Sequence, residues 1–284
     1  MTRSADISPL SVLLSHVDAV SDGSSSRDTL SCGFPALDKF LGGGFRRGDL
    51  IVLGGDVGSG KSALALAIAI RASLLGTRVA FLSGEMTAER TLERLLAIEA
   101  RVRVDDLRQG TLDDVARASA GAAALRLRDH LPIIDRLPSG AGGEALSAVL
   151  SDVSDVHLVI IDSVGALAGG ARDTNEEVAA AIRLLKTLAL DRSVAVLATA
   201  PLPLLGARPD RRPTLDDFGA LGSVKQIADT ILALFRQDMY EPSRDITGAT
   251  ELLIQKNRNG PTGYVDLYFY AQWMRFEDML DPAP

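Results

Sequence analysis

The eight residues Gly55-Asp56-Val57-Gly58-Ser59-Gly60-Lys61-Ser62 constrain this chain more than any other stretch. They fit G-x-x-x-x-G-K-[ST], a pattern with a specific physical logic. Glycines let backbone N–H groups turn inward around phosphate oxygens. A helix that follows aims its N-terminus at the same anion. The pattern needs an apolar strand before it and a helix after it, and both are legible here. Asp49–Leu53 reads as a strand. Lys61–Leu75, with Ala, Leu and Ile on most faces, reads as a deeply buried helix. Gly55, Gly58, Ser59, Gly60 and Lys61 then cradle a nucleoside triphosphate, with Lys61 on the β/γ-phosphates and Ser62 on Mg2+. The alternative is a decorative glycine-rich turn, and the strand–loop–helix context argues against it.

Two acidic residues gain meaning from that loop. Asp162 closes the apolar run Leu158-Val159-Ile160-Ile161, and a carboxylate at that end of a strand beside a P-loop can hold the Mg2+ shell. Glu85 follows the strand after the P-loop helix, in Ser83-Gly84-Glu85-Met86. It is either the base that orients and deprotonates an attacking water or an acidic residue just before the helix 87–101, stabilised by the helix dipole. The pattern alone leaves both open.

Elsewhere the chain alternates strand and helix, then ends in strands. Helices are expected at 34–41, 87–101, 112–127, 144–153, 175–190 and 223–229, and strands at 78–82, 132–134, 157–161, 194–199, 230–235, 251–256 and 264–270, with a last short strand at 273–276. This order implies a mostly parallel sheet with an antiparallel extension. Residues 1–7 read as disordered. Leu10, Leu13, Leu14 and Val17 mark an amphipathic helix over 9–20, followed by a flexible Ser-rich linker over 21–27. That helix buries its apolar side either on its own domain or on another subunit.

Composition excludes several classes. The chain has one cysteine, Cys32, and its three histidines, His16, His130 and His157, stand singly, so neither a disulfide nor a zinc cluster is expected. No apolar run approaches the ~18 residues of a membrane helix, and the N-terminus lacks the layout of a signal peptide. A cytoplasmic location without membrane association is the expectation. A net charge of −7 does not suit a general DNA-coating protein, although it leaves a local basic channel lining open.

Taken together, the segments resemble the C-terminal ATPase domain of DnaB-type replicative helicases. The resemblance runs through Gly33-Phe34, Gly42-Gly43-Gly44 and Gly48-Asp49-Leu50-Ile51, then the P-loop, Ser83–Met86 and Ile161-Asp162. It continues in Asp173-x-Asn175, in Arg208-x-Asp210-Arg211-Arg212-Pro213 and in Gln226-x-Ala228-Asp229. Its most specific part is Lys256-Asn257-Arg258-Asn259-Gly260-Pro261-x-Gly263. The resemblance implies an α/β, RecA-like P-loop NTPase fold over 29–284, preceded by a tail with a linker helix over 1–28. It implies ATP and Mg2+, hydrolysis at subunit interfaces of a hexameric ring, and action on single-stranded DNA in replication. Glu85 would be the catalytic glutamate. Lys256 and Arg258 would be the basic pair given to the neighbour's ATP, with Arg258 as arginine finger. The helix 9–20 would dock on the next subunit.

Some features depart from the family. Its N-terminal helical domain, which binds primase, has no counterpart read in these residues, so a loader or an N-terminal-domain partner on another chain is an expectation. The family's sensing glutamine is Ala200 here, and its Arg-Glu-Ser-Gly DNA-contact stretch is Gly219-Ala220-Leu221-Gly222. Arg208, Arg211 and Arg212 are either phosphate contacts or a solvated loop cluster. These departures motivate a second hypothesis, an ATP-binding oligomeric scaffold or regulator with weak DNA coupling. Gly54-Gly55-Asp56, Ser83-Gly84-Glu85 and Lys256-Asn257-Arg258 are also similar to RadA-type recombination ATPases, but the ending after Gly260 favours the DnaB type.

Overall fold

The structure, a computed structural model, describes residues 9–21, 28–138, 140, 142–151, 155–168, 175–202, 209–241 and 246–279. The expectations for residues 1–7, for 22–27 of the linker, and for Asp173 and Arg208 lie outside the described residues.

In chain order the elements are α1 (Pro9–Ser21), β1 (Thr29–Leu30), α2 (Pro35–Phe40), β2 (Phe45–Arg46), β3 (Leu50–Gly55), α3 (Lys61–Leu74), β4 (Val79–Ser83), α4 (Ala88–Ala100), α5 (Val104–Gln109), α6 (Asp114–Leu127) and β5 (Ile133–Arg136). They continue with α7 (Gly142–Ser151), β6 (Leu158–Asp162), α8 (Asn175–Arg192), β7 (Ala195–Pro201), α9 (Gly222–Ile227), β8 (Thr230–Phe235), β9 (Ala249–Asn257), β10 (Gly263–Tyr270) and β11 (Arg275–Asp278).

One sheet of nine strands organises the molecule, in the order β11-β10-β9-β8-β3-β7-β6-β4-β5. From β8 to β5 neighbouring strands run parallel, and β9, β10 and β11 add on antiparallel. Both faces of the parallel part are covered, which is why its strands read as unbroken apolar runs. β3 shows the division of sides. Ile51 and Leu53 point into a core with α3 and α2, while Leu50 and Val52 point into a core with α7 and α8. α3 is buried from Ala63 to Ile70, as its apolar composition requires.

One expectation needs correction, and two features were not anticipated. The segment 273–276 is not one strand, because Ala271–Trp273 forms a 3-10 turn, Met274 adopts φ +51°, and β11 begins at Arg275. The stacking of Tyr270 on Trp273, centroids 5.3 Å apart, holds that turn. The helix α5 was not expected; it is one short segment closed by Gly110 at φ +68°. The two-residue strands β1 and β2 are below what alternation can reveal.

The antiparallel end is clamped beneath the P-loop. Glu277 pairs with Arg71 of α3 and with Arg275, and Arg275 also lies 3.5 Å from Glu99 of α4. These neighbours hold the Glu277 carboxyl below its ordinary pKa, against the opposing effect of burial. The ring of Phe276 lies so close to Gly60 that a Cβ there would sit 2.9 Å from it. In α1, Leu10, Leu13, Leu14 and Val17 are each more than half exposed. Among the described residues no helix is long and apolar enough to cross a membrane.

Candidate nucleotide site

The P-loop links the C-terminal end of β3 to the start of α3. Gly58 and Gly60 adopt φ +80° and +105°, which an L side chain rarely tolerates. Lys61 Nζ donates to the carbonyls of Gly55 at 3.0 Å and Asp56 at 2.8 Å, so the ammonium curls under its own loop. Burial lowers its pKa, and the charges of Asp162, Glu85 and Asp56 oppose that shift.

Asp162 ends β6 in the same cleft. Its Oδ1 accepts from Ser62 Oγ at 3.0 Å and from Thr199 Oγ1 at 2.6 Å, while its Oδ2 is buried with no hydrogen-bond partner among the described residues. Burial raises its pKa, and the two hydroxyls partly offset this. A buried carboxylate oxygen without a partner is costly unless a cation reaches it. This donor set fits Mg2+, a hard cation that takes one or two protein oxygens and completes its shell with water and phosphate. Among the described residues no cluster of three or more His, Cys, Asp or Glu could hold a metal alone, so any ion here would depend on a nucleotide's oxygens.

Glu85 sits in the turn between β4 and α4. The N-cap of α4 is Thr87, which accepts from Arg90 N, so Glu85 lies before the helix rather than in its first turn. Ser163 Oγ donates to Glu85 Oε1 at 3.0 Å. The turn is packed tightly, since a Cβ on Gly84 would lie 2.1 Å from that of Ala166. Lys61, Ser62, Glu85, Arg94, Asp162 and Thr199 line one cleft of about 380 Å³.

Lys256 and Arg258 stand at the opposite end of the strands, away from the P-loop. Asn257 pairs with Thr230, which pairs with Ile51 at the beginning of β3, whereas the P-loop leaves from Gly55 at the end. The length of β3 separates the two, roughly 16 Å at about 3.3 Å per residue. Ile231 faces Lys256 and Leu232 faces Ile254, so Gln255 is the extra residue of a bulge beside the basic pair. Lys256 Nζ donates to Lys225 O at 2.6 Å, and Arg258 Nε lies 3.0 Å from Asp229 Oδ1. Burial and the Arg258 charge lower the Lys256 pKa, and Asp229 opposes this.

Of the expected DNA-contact residues, Arg211 and Arg212 have partners of their own. Arg212 makes two 2.6 Å bonds to Glu251 and lies over the Phe235 ring. Arg211 lies over Tyr240, whose hydroxyl donates to Asp56 Oδ2 at 2.8 Å. Ala200 is buried near the end of β7, beside Gly54.

Three residues of the cleft were missed by sequence reasoning. Thr199 carried a signal, as the one hydroxyl in the apolar strand 194–200. Ser163 and Arg94 carried none, because the pairing of β6 with β4 brings Ser163 beside Glu85 and the packing of α4 against α3 brings Arg94 to the cleft.

Residues 29–278 match the family model described as the DnaB-like helicase C terminal domain. The replicative DNA helicase DnaC of Bacillus subtilis (strain 168) is 32% identical over 254 residues, which cover 87% of this chain and 56% of that protein. The replicative DNA helicase DnaB of Leifsonia xyli subsp. xyli (strain CTCB07) is 32% identical over 276 residues, covering 95% of this chain and 60% of that protein. The chain thus spans somewhat more than half the length of these curated relatives. One solved ATPase domain superposes with a TM-score of 0.84 at 22% identity, over 97% of this chain and 99% of that one. A DnaB-like replicative helicase, solved for its interactions with primase, gives 0.82 at 22% identity, over 98% of this chain and 68% of that one. At such identity these two structures establish the fold.

Proposed function

The chain belongs to the family of DnaB-like helicase C-terminal domains, and from that premise we propose that it is an ATP-hydrolysing motor domain that assembles into a ring and acts on single-stranded DNA in replication. The observation that carries this reading is the division of the catalytic groups between the two ends of the strands. Lys61, Ser62, Glu85 and Asp162 line the cleft at one end. Lys256 and Arg258 lie at the opposite end, about one strand length away. A single copy therefore has no cation of the β9–β10 hairpin at its own cleft, and a second copy can supply one.

In this reading Gly55, Gly58, Ser59 and Gly60 turn their backbone toward the phosphates, and Lys61 leaves its loop carbonyls for the β/γ-phosphates. Ser62 and Asp162 hold Mg2+, which would neutralise charge on the phosphate oxygens when bound. Glu85, held by Ser163, orients water and accepts its proton. Arg258 of a neighbouring copy offsets charge on the transferred phosphoryl group. The exposed apolar stripe of α1 also supports assembly, because a lone helix of this length is marginal in water and gains from docking on another subunit. A primase, loader or N-terminal-domain partner on a separate chain belongs to the same reading. One of the solved relatives is described by its interactions with primase.

A second reading, an ATP-binding oligomeric scaffold or regulator with weak DNA coupling, is favoured by Ala200 and by the pairing of Arg212 with Glu251. Steady-state hydrolysis with and without single-stranded DNA separates the two, with Lys61→Ala as control. Lys61-dependent hydrolysis stimulated several-fold by DNA supports the motor. Hydrolysis indifferent to DNA replaces it with the scaffold.

A further inference from the structure

Arg258 is gripped by a carboxylate that the P-loop chemistry does not use. Asp229 stands at the start of β8 and is 2% exposed, yet both its oxygens are occupied. Oδ2 accepts from the Leu50 backbone N–H at 2.8 Å and from Lys186 Nζ at 2.6 Å. Oδ1 lies 3.0 Å from Arg258 Nε. The main chains are joined as well. Asp229 N–H donates to Leu50 O at 2.9 Å, and Arg258 N–H donates to Asp229 O at 2.8 Å. One residue further on, Asn259 Nδ2 donates to Asp49 Oδ2 at 3.1 Å.

The atom that is gripped matters. A guanidinium has one Nε and two terminal nitrogens in a rigid plane. The ion pair with Asp229 draws the Nε side of the group inward, and the terminal nitrogens are left for a further acceptor. Here the Arg258 side chain is 53% exposed, and one terminal nitrogen has only a 3.5 Å approach to Gln226 O. A lysine carries its three donors on one nitrogen and offers no planar fork set apart from the atom that is held. Lys186 completes the arrangement. It gives Asp229 a second cation, so the carboxylate stays compensated when Arg258 shares its charge with another anion.

We propose that Asp229 is a positioning residue for Arg258: by gripping Nε and the Arg258 main-chain N–H, it presents the guanidinium fork to the nucleotide phosphate bound by a neighbouring copy of the chain. This rests on the reading of Arg258 as the group supplied between subunits. Because Asp229 is also bonded to Leu50, the finger is tied to the root of β3, whose far end carries the subunit's own P-loop. The competing explanation is that Asp229 only pins the β9–β10 hairpin in place.

The test is steady-state ATP hydrolysis by the assembled full chain in four forms: unaltered, Arg258→Ala, Asp229→Asn and the double variant. Fluorescent-nucleotide binding, ring size and melting are followed alongside. Arg258→Ala should lower kcat about 10³-fold. Asp229→Asn should lower it about 10²-fold through misplacement of the finger, with KM within about twofold. The double variant should be no slower than Arg258→Ala alone, because both changes remove one contribution. Hydrolysis by Asp229→Asn at the unaltered rate, beside a slow Arg258→Ala, overturns the positioning role and leaves the finger intact. Losses that multiply in the double variant overturn it too, since Asp229 then acts elsewhere. Unchanged hydrolysis by Arg258→Ala removes the finger reading itself, and the positioning role with it. Should Asp229→Asn not assemble, Arg258→Lys carries the test, because that side chain is half exposed. It should be about as slow as Arg258→Ala, and a rate near the unaltered one overturns the proposal.

Discussion

Two aspartates are buried at opposite ends of the same parallel strands, and the fold treats them differently. Asp162 is 1% exposed at the P-loop edge; one of its oxygens takes two hydroxyl bonds, and the other takes none. Asp229 is 2% exposed at the far edge and is met by an amide, a lysine and an arginine. A buried carboxylate is tolerable as an ion only when its charge is compensated. At Asp229 the chain supplies the compensation itself, so that edge is complete as folded. At Asp162 compensation is partial and burial pushes the pKa up, so that edge gains most from an added cation. The difference separates a carboxylate whose charge the fold compensates from one that the fold leaves open to a cation.

The largest expected effect lies at the P-loop edge. Lys61→Ala should lower hydrolysis about 10³-fold, by removing the ammonium aimed at the phosphates. Its melting temperature should be almost unchanged, since the bonds it loses go to two loop carbonyls. A large fall in melting would show that Lys61 holds the loop in shape rather than the ligand. The aspartates should then diverge under the same substitution. Asp162→Asn should cut Mg2+-dependent hydrolysis about 10²-fold while leaving the nucleotide-free protein as stable or up to about 1 kcal/mol more so, because it removes a partly uncompensated buried charge. Asp229→Asn should destabilise by about 1–3 kcal/mol, because it weakens the charge-assisted bond from Lys186 and removes the ion pair with Arg258. Chemical denaturation of both variants checks the pair. Equal destabilisation by both would end the distinction.

The divergence should also depend on pH. The folded pKa of Asp162 is raised above the ordinary 3.8. Just above that value the native state binds more protons than the unfolded state, so this residue makes stability fall as pH rises through the folded pKa. Asp162→Asn lacks that slope. The stability of the unaltered protein minus that of Asp162→Asn should therefore decrease from about pH 4 toward neutrality, as measured by parallel denaturation series. A difference that is flat with pH would mean that Ser62 and Thr199 compensate the carboxylate fully.

Much of this was legible in the sequence, for a physical reason. Strands covered on both faces become runs such as Leu158-Val159-Ile160-Ile161, and α3 announces itself by apolar residues all round. The P-loop is legible because phosphate binding demands glycines at fixed spacing. Asp162 and Glu85 were found because each ends or follows a strand next to that loop. Ser163 and Arg94 were not, because what brings them to the cleft is the pairing of β6 with β4 and the packing of α4 on α3, which leave no local pattern. The helix α5 and the 3-10 turn at Ala271–Trp273 were missed because both are too short for an apolar pattern to repeat. Asp229 appeared only as part of a family resemblance; its role depends on Leu50, Lys186 and Arg258, which are far apart in sequence.

The smallest expected effect concerns how firmly each edge holds its working group. Arg258 is held through its side chain and its main chain, while Glu85 takes a single bond from Ser163 Oγ, 3.0 Å long. Ser163→Ala removes that bond and little else, since the serine is otherwise a small buried side chain. The carboxylate would then sample orientations that do not face the attacking water, and hydrolysis should fall roughly tenfold, the equivalent of one such bond. KM should not move, because Glu85 in this role touches water rather than nucleotide. A rise in KM with kcat preserved would place Ser163 against the nucleotide instead, and the Glu85 orientation seen here would owe nothing to it. An unchanged rate would mean that the packing of Gly84 against Ala166 already fixes the turn, so that the P-loop edge is as rigid as the far one.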